Sequence, residues 1–391
     1  MILKRIRGIG RHFRLGLAGL TALALTACTS VSVPGLQGGG GNVGNTVQVA
    51  LLVPSGASDG QVRLLAQNLT NAAQLGVSDL NGINVDLRVY DTQGTAGGAA
   101  QAASLAASEG AEVILGPLFA RAANGAGLAV RDQGLNVLSF SNNPAVAGGN
   151  VFILGPTFGN TARRMVGFAN RRGLNRYMVV YGQDAAEQVG RDAIVSAVQA
   201  SGGTVIASQG FALSQQGVIS AAPQIANTAE NAGANLLFLT SGPEGALPFL
   251  VQYLPENGLT QESIQYAGLT RWDVPTSALS LPGLQGGWFA VPDPGVSARF
   301  NERYSAAYGS APNPVASLAY DGIAAIGAAA QQSGSLSAEA LTRGNGFAGA
   351  TGVFRFLPDG SNQRGLAIAT IENNRVIVID PAPRRLGGAG F

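Results

Sequence analysis

Residues 46–56 read TVQVALLVPSG, residues 61–75 read QVRLLAQNLTNAAQL, and residues 85–90 read VDLRVY. A β-branched and apolar run stops at Pro-Ser-Gly. A segment with Val62, Leu65, Leu69, Ala72 and Ala73 on one helical face follows, and then a second apolar run. This is the strand–helix–strand alternation of a parallel α/β sheet. Working outward, the pattern predicts a helix over Ala99–Ser108, a strand at Val113–Leu115, a helix from about Ala122 to Gln133, and a strand at Asn136–Phe140. Val151–Leu154 then leads away. Four such units in about 110 residues make one doubly wound lobe.

The cycle restarts beyond Pro156. Helices are expected at Asn160–Arg172, Val189–Ser201, Val218–Ala232 and Gly245–Leu254, and strands at Tyr177–Tyr181, Thr204–Ser208 and Leu236–Leu239. A region of roughly 345 residues exceeds one core, so a second lobe of the same construction is expected. After Pro282 come a strand at Gly287–Val291, a helix carrying Phe300, Tyr304 and Tyr308, and an Ala-rich helix over Val315–Gln331. A closing hairpin of Val353–Phe356 with Ala367–Ile379 is expected to turn at Pro358-Asp359-Gly360-Ser361.

The first 27 residues have a basic start (Lys4, Arg5, Arg7, Arg11, Arg14), an apolar stretch at Leu15–Leu25 and small residues before Cys28. That is the layout of a secretory signal. Its apolar stretch is shorter than the ~20 residues a transmembrane helix needs. Leu25-Thr26-Ala27-Cys28 resembles the bacterial lipobox, which implies acylation of Cys28, the only cysteine of the chain. Thr29 in place of Asp implies, by resemblance to enterobacterial lipoproteins, sorting to the outer membrane. Residues 29–45 are Gly- and Ser-rich and read as a tether between the lipid on Cys28 and the first strand.

Removing the five basic residues of the signal leaves 19 Lys+Arg (24 − 5) against 22 Asp+Glu. The basic balance therefore belongs to export and does not favour nucleic acid as a partner. His12 and Lys4, the only histidine and lysine, lie in the signal as well. General-base His, His metal ligands, Schiff-base Lys and P-loop Lys are thereby excluded downstream of it. No metal and no cofactor is expected, and the chain reads as a binding protein without enzymatic activity.

Ligands of doubly wound sheets sit beyond the carboxyl ends of the strands. The loops there offer Ser55, Gly116-Pro117-Leu118-Phe119, Ser141-Asn142-Asn143-Pro144, Glu187, Glu244 and Trp272. Gly116-Pro117 either aims the next helix's N–H groups at an anion or is a plain tight turn. Ser141 and Asn142 fit a ligand or a helix cap equally. Glu187 and Glu244 can pair an ammonium or face solvent, and Trp272 can stack on a ligand or join the core.

Val49–Pro54, Ile114-Leu115-Gly116-Pro117, Ser141–Pro144, Leu318-Ala319-Tyr320-Asp321 and Gly349–Gly360 together resemble the type I periplasmic binding proteins of the leucine/isoleucine/valine-binding kind. The resemblance covers residues 46–380. It implies two Rossmann-like lobes joined by three crossings: 46–155 plus 289–344, and 156–288 plus 345–391. It also implies a small amino-acid-like ligand and an ABC permease partner. In that family a serine holds the ligand carboxylate. Here Ala120 stands in its place, flanked by Phe119 and Arg121, with Asn142 at a usual threonine and Glu187 near a family tyrosine.

Gly116-Pro117-Leu118, Gly286-Gly287-Trp288-Phe289, Ala316–Asp321 and Asn362–Pro381 further resemble the penicillin-binding protein activator lipoproteins. The first expectation is thus an envelope lipoprotein that stimulates a peptidoglycan synthase. The second is the substrate-binding protein of an amino-acid or amide ABC transporter. A carboxylate-only hydrolase using Glu187 and Glu244 comes third.

Overall fold

The computed structural model describes residues 46–344 and 346–386. The signal segment, Cys28 and the tether lie outside the described residues.

Strand β1 (Thr46–Val53) explains the first lobe, because both of its faces are covered. Val47, Val49, Leu51 and Val53 pack into one core cluster with Leu69, Ala72 and Ala73 of helix α1 (Gly60–Ser78). Ala50 and Leu52 point the other way, into a cluster with Ala99, Ala103 and Ala106 of α2 (Ala96–Ser108) and Ala122 and Ala126 of α3 (Ala120–Val130). Small alanines on the second face let those helices approach the sheet closely. Strands β2 (Asn84–Asp91), β3 (Val113–Leu115), β4 (Asn136–Ser139) and β5 (Val151–Ile153) complete a five-stranded sheet in the order β2-β1-β3-β4-β5, parallel throughout.

Past β5, helix α4 (Phe158–Arg171) opens the second lobe. Strands β6 (Arg176–Gly182), β7 (Thr204–Phe211), β8 (Leu236–Leu239), β9 (Gln265–Gly268) and β10 (Trp288–Val291) alternate with α5 (Ala185–Ala200), α6 (Gln215–Ala232) and α7 (Leu247–Glu256). Met178 and Val180 face the core beneath α6 and α7, while Tyr177 and Val179 face α4 and α5. The chain then returns to the first lobe with α8 (Pro294–Tyr308), α9 (Ser317–Ser333) and α10 (Ala338–Thr342). A small antiparallel sheet of β11 (Phe347–Gly349), β12 (Gly352–Phe356) and β13 (Asn362–Arg364) follows. It ends in the second lobe with β14 (Ala367–Glu372) and β15 (Arg375–Asp380), which extend that sheet to β15-β14-β10-β9-β8-β6-β7.

Three sequence expectations shift. β10 pairs with β9 and β14 inside the second sheet, so the second crossing falls at Pro292, beyond the expected start at Phe289. Phe347, Phe354 and Phe356 pack in the first-lobe core, so residues 347–364 belong to that lobe and the third crossing falls at Gly365 instead of at residue 345. The single closing hairpin is in fact two. β12 pairs with β13 around the expected Pro358–Ser361 turn, and β14 pairs with β15. The second turn is Asn373-Asn374, both with positive φ (52° and 61°), the signature of a two-residue hairpin turn.

The first and third crossings are cross-linked. Arg364, 6% exposed, donates from Nε to the Leu154 carbonyl (3.0 Å) and from Nη1 to Asp321 on α9 (2.8 Å). Asn362 donates to the carbonyls of Ile153 (2.8 Å) and Gly155 (2.9 Å) and accepts from Asn160 of α4 (2.7 Å). From the second lobe, Arg164 reaches the Leu366 carbonyl (2.6 Å) and pairs with Asp380 (2.8 Å). Burial pushes the Asp321 carboxyl up although Arg364 and the Ala350 N–H oppose it. The second crossing is tied more lightly, by Asp293 N–H to the Thr351 carbonyl (3.0 Å).

Candidate functional site

The topology brings the carboxyl edges of the two sheets together. The chain leaves β5 at its carboxyl end through Gly155-Pro156, and leaves β10 at its carboxyl end through Pro292. It re-enters at Ala367, which lies opposite Val291. All three crossings therefore sit at strand carboxyl ends, and the loops that follow the parallel strands flank one cleft.

In the first lobe, Ser55 is exposed in the turn after β1. That turn is held by Asp91 at the end of β2, whose Oδ1 accepts from the N–H groups of Gly56 (2.8 Å) and Gln93 (2.9 Å). Burial would raise the Asp91 pKa, but these bonds and those from Ser55 outweigh it and hold the pKa below its ordinary value. A Cβ on Gly56 would meet Asp91 Oδ2 at 2.2 Å, so a larger residue there would have to displace the carboxylate that holds the turn.

After β3, Gly116 takes φ +93° and abuts the Leu52 carbonyl, which a Cβ would meet at 2.3 Å. The Pro117 carbonyl accepts from Ser139 Oγ (2.8 Å) and Phe140 N–H (3.0 Å). Gly116-Pro117 is thus a tight turn joining β1, β3 and β4. Beyond it α3 begins without any side-chain cap, at Phe119. By contrast α1, α2, α5 and α6 are capped by Asp59, Thr95, Asp184 and Ser214. Phe119 and Arg121 are exposed and Ala120 is half-buried. The tight turn and the free helix end coexist.

After β4, Ser141 is buried. Its N–H donates to Ser139 Oγ (3.1 Å), and its own Oγ accepts from Asn143 N–H (3.1 Å), so the hydroxyl shapes the loop. Asn143 caps the short turn at Pro144–Val146. Asn142 is left exposed beside the first crossing.

The second lobe differs. Glu187 is half-buried and already engaged within the chain. Its carboxylate accepts from Gly182 N–H, Thr240 Oγ1 (2.7 Å) and Ser241 Oγ (2.7 Å), pinning the start of α5 to the ends of β6 and β8. Glu244 is exposed in the turn before α7. Like α3, α7 starts without a side-chain cap. Trp272 is fully buried and stacks on Phe289 (centroids 6.1 Å apart, planes at 26°) in space left by Gly268 and Gly287, so it is core and cannot stack on a ligand. The exposed neighbour is Arg271, bound through both guanidinium arms to Asp273.

The loops beyond the strand ends thus present Ser55, Phe119, Ala120, Arg121 and Asn142 in the first lobe and Glu244 in the second, while Ser141 and Glu187 brace their loops and Trp272 is core. Asp91, Thr240 and Ser241 emerge as loop anchors, which sequence position alone does not reveal because their partners lie on other strands.

Two α/β lobes with facing carboxyl edges and three crossings define a hinged binding protein of type I architecture. The chain belongs to the periplasmic binding protein family, whose model matches residues 46–375. Membership implies a periplasmic location. Solved structures agree with the fold. A putative branched-chain amino acid ABC transporter protein from Rhodospirillum rubrum superposes with TM-score 0.70 at 18% identity, covering 85% of this chain and 100% of that one. A leucine-binding protein from Thermotoga maritima gives 0.55 at 18%, covering 86% and 98%. A solute-binding protein from R. palustris in complex with benzoate gives 0.56 at 18%, covering 88% and 98%. No curated protein matches the chain.

Proposed function

We propose that the chain is the substrate-binding component of an ABC-type transporter, taking a small amino acid or a closely related amide or carboxylate into the cleft. The carrying observation is the pair of uncapped helix starts on the facing edges. α3 presents free N–H groups beside Arg121, and the turn before α7 presents the Glu244 carboxylate. A helix amino end favours an anion, and a carboxylate favours an ammonium. A zwitterion matches both. With Ala120 in the serine position, the carboxylate is met by backbone N–H groups and not by a hydroxyl.

The solved relatives, crystallised as leucine-, branched-chain- or benzoate-related proteins, support this reading. The synthase-activator reading has less support. Its motif residues have packing roles here: Gly116-Pro117 joins three strands, Gly287 makes room for Trp272, and Asp321 pairs with Arg364. In this reading Cys28 carries the acyl anchor and holds the domain near the permease.

The test is a thermal-shift panel of amino acids, amides and aromatic carboxylates. A ligand at 100 times its Kd stabilises by about 2.7 kcal/mol. An α-amino acid should raise the melting temperature more than its des-amino analogue, and Glu244→Gln should remove that preference. No shift with any member of the panel would overturn the reading, and recovery of a peptidoglycan synthase with the chain would restore the activator.

A further inference from the structure

A cavity of about 210 Å³ lies at the hinge, and apart from the crossings themselves the residue it shares with the loops described above is Arg271. One residue from each crossing lines it: Pro156, Pro292 and Gly365. Its floor is Val315 in the turn just before α9 and Leu318 in the first turn of α9, with Val353 of β12.

The chemistry of the walls is apolar with neutralised edges. Two guanidinium groups reach the cavity, those of Arg271 and Arg364, and each is already paired with a carboxylate, Asp273 and Asp321 respectively. The buried side-chain polar atoms without a partner among the described residues belong to Gln261, Thr270, Trp272, Ser297 and Thr370, and none of these lines it. The two lining hydroxyls are engaged as well, Ser317 donating to the Pro314 carbonyl (2.7 Å) and Thr351 accepting from Arg364 (3.0 Å), so an anion would find no free positive charge and a polar molecule would replace few of its hydrogen bonds to water. An apolar cavity of about 150 Å³ suffices for benzene or xenon.

The position matters as much as the chemistry. The first and third crossings are joined by Arg364 and Asn362, and the second is tied to the first lobe by the Asp293 N–H on the Thr351 carbonyl and lies beside the third, where Val291 pairs with Ala367. Rotation of one lobe against the other moves Arg271 and Leu366, of the second lobe, relative to Val315, Leu318 and Val353 of the first, and both sets wall this cavity.

We propose that the hinge cavity is a binding site for a compact, uncharged apolar molecule of about benzene size, and that its occupancy sets the angle between the lobes. The site selects a different ligand class from the cleft, and the inference does not depend on what the cleft binds. A ligand can shift the open–closed balance only through different contacts in the two states, and a cavity walled by all three crossings supplies that difference.

The full chain is used with Cys28→Ser, so that no acyl chain competes. Under xenon pressure the methyl resonances of Val315, Leu318 and Val353 should shift saturably while those of Leu237, in the second-lobe core, stay fixed. Benzene should change the radius of gyration measured by small-angle scattering. Val315→Phe, which fills the space, should abolish both responses; should that variant not fold, Val353→Leu should weaken them. Absence of a saturable shift, persistence of it in the filled variants, or a radius of gyration indifferent to benzene would overturn the proposal.

Discussion

In the first lobe the turn after β3 runs Gly116-Pro117-Leu118-Phe119 into α3, and in the second the turn after β8 runs Ser241-Gly242-Pro243-Glu244 towards α7. Both contain Gly-Pro, both end at a helix without a side-chain cap, and both lie at a strand's carboxyl edge. They are secured by different means. The first is held by neutral groups, with the Ser139 hydroxyl and the Phe140 N–H donating to the Pro117 carbonyl. The second is held by a charge, the Glu187 carboxylate, which takes both the Thr240 and the Ser241 hydroxyls. A neutral pin leaves the amino end of α3, with the exposed Arg121 in its first turn, as a local source of positive potential. The charged pin is engaged within the structure, Asp184 caps α5 and Asp273 pairs with Arg271, so in the proposed reading Glu244 is the acid offered to a ligand.

The comparison breaks most visibly at Trp272. If it is core and not binding surface, Trp272→Ala should lower stability by about 3–5 kcal/mol in urea unfolding. Ligand affinity measured well below the melting temperature should change little. A stable variant that has lost its ligand would return Trp272 to the cleft.

Glu187→Gln sharpens the contrast between a pinned and a free acid. It exchanges charged acceptors for an amide whose NH₂ faces donors, at a cost of about 1–3 kcal/mol. Glu244→Gln should leave the unfolding midpoint unchanged. Equal destabilisation by both substitutions would erase the distinction.

The smallest effect concerns pH. Asp91 has its folded pKa held below the ordinary carboxylate value of 3.8, so its contribution is fully present above that value and is lost as pH falls through the lower folded value. Asp91→Asn should therefore flatten the acid limb of the stability–pH curve below about pH 4, read as the unfolding midpoint against pH. An unaltered limb would show that the Ser55 turn does not depend on this carboxylate.

Much of the architecture was legible in the chain because period and punctuation are local. β1, α1 and the Gly116-Pro117 turn announce themselves through Val/Leu runs, 3.6-residue spacing and turn residues. The hinge boundaries were not legible. Residues 347–364 read as strand wherever they pair, and only the burial of Phe347, Phe354 and Phe356 in the first-lobe core assigns them. Trp272 and Arg271 are adjacent in sequence, and nothing local says which turns inward. The room left by Gly268 and Gly287, on two other segments, decides it.

The sequence by itself determined the alternating α/β plan, the lack of histidine and lysine beyond the leading segment, and the set of loops in which a site can lie, since each follows from residue type and short-range spacing. Tertiary structure alone decided which acids and aromatics in those loops stay available. Glu187 is taken up and Glu244 spared because a carboxylate's role is fixed by donors that arrive from other strands, and those donors, at Gly182, Thr240 and Ser241, meet it only once β6, β8 and α5 have packed.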